Sequence, residues 1–282
     1  MDLISVREVR VARNRDDIVF APGEQPLGGG TWLFSEEQDG LTGLVDLTGM
    51  GWPSITETDA ALTISATSTI ADLAALTPAD LRSDPLAGGR DRGIGDARAL
   101  FWQCANSLLA SFKIWNVATV GGNIATALPA GPMTSLAAAL DATAIIWTAD
   151  DGERTLPVAD LVTGVRQTAL APGEVLRAIE IPRSSLESRT GFRRIALSPL
   201  GRTGTMVIAR ASASGASPEV VFTVTGGTTR PVQLRFDEPP SAAALERALL
   251  GIDCWYTDPH GAADWRRAMS ARFAEELRAE LQ

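Results

Sequence analysis

Residues 116–123 read Asn116-Val117-Ala118-Thr119-Val120-Gly121-Gly122-Asn123 and follow an apolar segment with helical spacing. Threonine, glycine and asparagine at this density do not make a core. Adjacent glycines lack the Cβ that keeps a backbone away from a ligand. Successive N–H groups in such a turn form a concave anion site. Thr119 and Asn123 add a hydroxyl and an amide at its two ends. The guest expected from this chemistry is a phosphate or pyrophosphate.

A second stretch has the same character. Gly28-Gly29-Gly30-Thr31-Trp32-Leu33 follows an apolar approach, and a short helical run is expected over Leu33 to Gln38. Glycines at a helix entrance set phosphate oxygens against free N–H groups and the positive end of the helix dipole. A glycine pair alone is most often a plain turn. Two such loops far apart in sequence can grip one diphosphate from both sides, which points to a dinucleotide cofactor.

The paired loops resemble those of the FAD-binding subunit of molybdenum hydroxylases, the group of aerobic carbon monoxide dehydrogenase and xanthine dehydrogenase. That family shows an A-G-G-T-D-L-like first loop and an I-R-N-x-G-T-I-G-G-N-like second loop. Here they read Gly28-Gly29-Gly30-Thr31-Trp32-Leu33 and Ile114-Trp115-Asn116-Val117-Ala118-Thr119-Val120-Gly121-Gly122-Asn123. The resemblance implies that both loops lie along the diphosphate of FAD. It also implies an α+β fold: a PCMH/VAO-type FAD-binding domain of two α/β subdomains, plus a C-terminal α+β domain. The expected division is residues 1–55, 56–183 and 184–282.

Composition narrows the chemistry. The chain has 282 residues and a net charge of −9, which disfavours nucleic acid or an anionic membrane as partner. No apolar run is long enough to span a bilayer, and Met1 to Arg15 shows no signal-peptide core, so a cytoplasmic protein without membrane insertion is expected. Cys104 and Cys254 are the only cysteines, too few for an iron–sulfur cluster or a cysteine-based zinc site. His260 is the only histidine and lies in an expected turn, Asp258-Pro259-His260-Gly261.

Taken in order, strands are expected at Val6–Val11 and Leu44–Leu47, with the first loop between them. Leu62 to Ser65 alternates like a half-buried strand, and Thr69 with Asp72 forms a capping box that opens a helix. Residues 82–96 are rich in glycine and charge and read as a loop. Leu100, Cys104 and Leu108 share a helix face, with Phe101 and Leu109 beside it, and deliver the chain into the second loop. Pro132 suits the first turn of a helix over Met133–Leu140. A hairpin follows at Ala144–Thr148 and Glu153–Leu156. Asp160 to Gly164 reads as a short helix and exit. Pro172-Gly173-Glu174-Val175-Leu176 through Ile181-Pro182 resembles the family's P-G-E-x-L-x-x-I-x-I-P strand. Strands at Phe192–Leu197, Thr205–Ala211, Val220–Val224 and Val232–Phe236 and helices at Ser241–Leu250 and Ala262–Leu281 make the last part. Gly226-Gly227 with Arg230-Pro231-Val232 resembles the family's signature turn there.

The resemblance implies a redox subunit: electrons pass from partner iron–sulfur clusters to FAD and on to an external acceptor. It places 2Fe-2S clusters on a small subunit and the molybdenum cofactor on a large one, usually in a dimer of heterotrimers. No acid–base triad is expected on this chain. Gly28, Gly29, Gly30, Thr31, Trp32 and Leu33 would form one phosphate cradle. Thr119, Val120, Gly121, Gly122 and Asn123 would form the other. Trp32 stands where the family has aspartate, and either stacks on a ring or packs. Arg193 falls where members place a lysine near the flavin; as residues alone it reads equally as a surface charge. Trp115 replaces an arginine, Ala118 a glycine, and Pro132 an aspartate that binds cofactor hydroxyls. Two other readings remain open: a stand-alone FAD reductase of the same fold, and a cofactor-free scaffold subunit.

Overall fold

The computed structural model describes residues 3–82, 95–212 and 218–281. The expected loop over 82–96 lies mostly outside them. Strands β1 (Glu8–Val11), β2 (Glu24–Leu27) and β3 (Gly43–Asp46) form a small parallel sheet in the order β1-β3-β2. The central strand is apolar because both of its faces are covered. Leu44 packs with Leu27 and Leu41, whereas Val45 packs with Ala12, Leu47 and Val175. β2 was not expected as a strand, and it feeds directly into the first glycine loop.

The second part holds β4 (Ile55–Glu57), β5 (Ala61–Ser65) and α1 (Ile70–Ala75), then β6 (Gly95–Asp96), α2 (Ala99–Ser107), α3 (Phe112–Trp115), α4 (Val120–Ala125) and α5 (Pro132–Ala139). It continues with β7 (Thr143–Trp147), β8 (Glu153–Pro157), α6 (Val158–Leu161), β9 (Val162–Gly164), β10 (Gln167–Thr168) and β11 (Val175–Pro182). An antiparallel sheet β4-β5-β11-β7-β8 backs these helices. The Thr69–Asp72 capping box is present in both directions, and Pro132 opens α5. Cys104 is fully buried in this core, and burial pushes its thiol pKa up. The first two sheets meet through an aromatic joint. Trp52 and Trp147 stand edge-on at 5.4 Å, and the Arg177 guanidinium lies 4.2 Å from the Trp52 ring.

The last part has α7 (Arg183–Leu186), β12 (Arg189–Ala196), β13 (Thr203–Ala211), β14 (Val220–Thr225), β15 (Val232–Phe236), α8 (Ala242–Leu250) and α9 (Ala263–Leu281). Its antiparallel sheet runs β15-β14-β13-β12-β6, so the short strand Gly95–Asp96 crosses over from the second part. β13 is buried along its whole length because it is sandwiched. Met206 and Ile208 face the helices of the second part, while Val207, Ala209 and Ala211 face α8 and α9. This alternation follows the two-residue period of a strand.

One expected element is absent. Residues 31–35 form turns rather than the start of a helix, with Phe34 N–H bonded to Gly30 and Ser35 N–H to Trp32, both at 2.9 Å. The segment has little apolar face to bury; Phe34 is 44% exposed. A helix this short is not stable without such packing.

Candidate functional site

The two glycine loops converge. A Cβ on Gly28 would lie 2.6 Å from the Thr119 hydroxyl, and one on Gly29 would lie 1.8 Å from the Val117 carbonyl oxygen. Both glycines therefore permit the loop-on-loop contact. Gly30 adopts φ +66°, the left-handed conformation that glycine accepts without strain. Gly121 packs against Ala66, where a Cβ would fall 2.4 Å from the alanine methyl.

The second loop is the N-terminus of α4, with Thr119 as its cap; the hydroxyl accepts from Gly122 N–H at 3.1 Å. Here the structure departs from the expected row of free amides. Val120 N–H donates to the Ser68 carbonyl at 2.8 Å and Gly121 N–H to Ala66 at 2.9 Å. Asn123 N–H bonds the Thr119 carbonyl at 3.0 Å, while its side-chain oxygen accepts from Met133 N–H at 3.0 Å. The loop is thus sewn to residues 66–70 and to the start of α5. The first loop differs: among the described residues, no protein oxygen accepts from the N–H groups of Gly28 to Leu33. The first-loop helix dipole expected above is also missing, since no helix follows.

Between the loops opens a cleft of about 620 Å³. Gly28, Gly29, Gly30, Thr31, Trp32, Leu33, Thr119, Gly122 and Asn123 line it. Val120 and Gly121 do not; they are buried beneath it. The volume is in the range of small-molecule and cofactor sites. Leu27, Leu33, Leu108, Leu109, Ile114 and Leu128 give it an apolar side. Arg166 and Arg202 are the only charged residues on it among the described residues, and no carboxylate lines it. In a chain of net charge −9, that selection favours an anionic guest.

Trp32 is not packed into the core. It is half-buried on the cleft wall, and the Arg166 guanidinium stands 4.5 Å from its ring. Trp115 packs edge-on against Trp102 at 5.8 Å, with its indole N–H buried and unpaired among the described residues. The helix ends at Ser107; Leu108 packs half-buried against the core that holds Leu100 and Cys104, whereas Leu109 is exposed, and both line the cleft.

Arg193 is not brought to the cleft. Its side chain is only 6% exposed and pairs with Glu276 at 3.3 Å and with Glu280, both on α9. Adjacent residues of a strand point to opposite faces, so Arg194 turns the other way. It donates to the Thr203 hydroxyl at 2.8 Å and to the Gly201 carbonyl, and Thr203 lines the cleft. Burial lowers the Arg194 pKa. Sequence reading missed Arg166, Arg194, Arg202 and Thr203. The alternation of β12 carried a signal for Arg194; no short-range pattern marked the others.

The diphosphate and ring systems of FAD fit the surfaces present: unpaired amides of the first loop, cations without competing carboxylates, and an apolar wall. The aspartate that would meet sugar hydroxyls has no counterpart at Pro132, which is buried at the start of α5.

Comparison with known proteins agrees. A segment is 31% identical over 144 residues to nicotinate hydroxylase hnxS of Emericella nidulans, covering 50% of this chain and 10% of that protein. Another is 40% identical over 73 residues to xanthine dehydrogenase of Oryza sativa, covering 26% of this chain and 5% of that one. The matches thus span a tenth or less of those relatives' length. The fold matches the reconstituted CO dehydrogenase from Oligotropha carboxidovorans with a TM-score of 0.77 at 22% identity, covering 99% of this chain and 100% of that one. The family described as the FAD binding domain in molybdopterin dehydrogenase matches residues 10–184. With its two converging glycine loops and the full run of sheets behind them, the chain belongs to the family of FAD-binding domains of molybdopterin dehydrogenases.

Proposed function

We propose that this chain is the electron-transfer subunit of a molybdenum-containing hydroxylase or dehydrogenase. It receives electrons from iron–sulfur clusters on a small subunit and passes them through FAD to an external acceptor. A large subunit carries the molybdenum cofactor and the substrate, and the assembly is a cytoplasmic dimer of heterotrimers. The three units, 1–55, 56–183 and 184–282, are the two FAD-binding subdomains and the C-terminal domain.

The observation that carries this reading is the convergence of Gly28–Leu33 with Thr119–Asn123 on one cleft. Bound FAD supplies the redox chemistry, and the protein supplies its position and electrostatics. Gly28 to Thr31 offer main-chain donors to the diphosphate. Thr119 and Asn123 fix the opposing loop. Leu108, Leu109 and Ile114 exclude water from the ring system.

The test is spectroscopic. Chain purified with its partners should be yellow, and analysis should find FAD on this chain with iron and molybdenum on the others. A colourless preparation that takes up no added FAD overturns the proposal. Partner chains recovered with this one but without flavin would instead identify a scaffold subunit.

A further inference from the structure

Arg166 lies in the two-residue turn of the antiparallel hairpin β9–β10, and three observations set it at the cleft. Its backbone is left-handed, φ +57°, a conformation that non-glycine residues adopt at a cost. Its N–H donates at 2.8 Å to the carbonyl of Ala127, itself left-handed at φ +51°. The exposed side chain then reaches back to the first glycine loop, where it stacks on Trp32. A cation on an aromatic face is held in place while keeping its outer N–H donors free. No carboxylate shares the cleft with it. The opposing loop has committed its Val120, Gly121, Gly122 and Asn123 amides to protein oxygens. Positive charge for a dianionic guest must therefore come from elsewhere on the cleft.

We propose that Arg166, pinned by Trp32, is a diphosphate-binding residue of this chain and takes over the charge neutralisation that the second loop's amides do not supply. The proposal rests on the FAD reading of the cleft. Trp32 then acts as a positioning residue: it orients the guanidinium toward the turn formed by Gly28 to Thr31. Arg202, on the wall formed by the C-terminal part, adds to the same potential.

The test uses the full chain and the variants R166Q, R166K and R166G, titrated with FAD, ADP and riboflavin at low and high KCl. ADP carries the diphosphate without the flavin, and riboflavin the flavin without the diphosphate. R166Q and R166G should weaken FAD and ADP about tenfold or more, as loss of a charge-assisted hydrogen bond does. Riboflavin binding should not change. The salt dependence of FAD affinity should flatten in both variants, because screening acts on the charge removed, and R166K should restore it. Glycine accepts the left-handed backbone, so circular dichroism of R166G should show the parent fold and exclude misfolding as the cause. FAD affinity and salt dependence unchanged in R166Q would overturn the proposal, as would equal weakening of FAD and riboflavin. If the parent takes up no FAD, the FAD reading fails; ADP binding lost in R166Q would still support Arg166.

Discussion

Gly29 illustrates how a single residue couples two distant segments. Its Cα hydrogen occupies space that a methyl group would have to share with the Val117 carbonyl oxygen at 1.8 Å. That oxygen belongs to backbone and cannot rotate away. Gly29→Ala should therefore separate the loops, destabilise the fold by about 1–3 kcal/mol as overpacking does, and abolish FAD uptake. Thermal melting and flavin titration on the same preparation check both parts; an alanine variant that binds FAD normally would show that loop contact is not needed. Arg193 and Arg194 carry the complementary lesson. Neighbouring residues of identical chemistry divide between α9 and the Gly201–Thr203 turn behind the cleft because a strand alternates its faces.

At the scale of elements, the P-G-E segment acts as a clamp. Gly173 takes φ +83° and turns the chain, and Glu174 then accepts two hydrogen bonds from Arg154 on β8, at 2.7 and 2.6 Å. It also accepts from Ala171 N–H at 2.7 Å. The Arg154 guanidinium, reinforced by that N–H, holds the Glu174 carboxyl below its ordinary pKa against the opposing effect of burial. A pKa depressed in the folded state stabilises fully above the unfolded value, about 4.3 for glutamate, and the effect disappears as pH falls through the folded value. Glu174→Gln should cost about 2 kcal/mol at neutral pH. Its denaturation midpoint should converge on the parent's in acid; a pH-independent gap would contradict the ion pair.

The Gly226-Gly227 turn is anchored likewise. Arg266, 1% exposed, donates to the carbonyls of Gly226 at 2.6 Å and Gly261 at 3.0 Å, and pairs with Asp258. Asp258→Ala leaves a buried cation unpaired and should cost about 3 kcal/mol, read by chemical denaturation. A loss well below 1 kcal/mol would show that the carbonyls suffice.

At the scale of the molecule, the cleft is bounded by residues from the first sheet, the helical layer and the last sheet. β2 supplies the first loop, the helical layer supplies the second, and Thr203 at the start of β13 closes the far wall. Asp141, at the turn after α5, ties the helical layer to the last sheet through Arg210, Arg235 and Gln233. A ligand spanning this cleft binds only the assembled chain. FAD at a hundredfold excess over its Kd should therefore raise unfolding free energy by about 2.7 kcal/mol. Differential scanning calorimetry with and without FAD measures this, and a melting temperature indifferent to FAD would oppose binding at the cleft.

The sequence by itself determined many of the elements and the position of both glycine loops, though not β2 or the turns that replace the expected helix after Gly30. Thr69 with Asp72, Pro132, the alternation of Leu62–Ser65 and the punctuation around Glu174 are local signals, and local backbone preferences answer to them. The glycine loops were legible for the same reason. Only the tertiary structure decided which groups remain free to bind. Val120 and Gly121 spend their amides on Ser68 and Ala66, about fifty residues earlier in the chain. Arg166 comes to rest on Trp32 from a hairpin beyond both loops. Hydrogen-bond partners and charge neighbours are set by folding distant segments together, and no pattern within either segment encodes them.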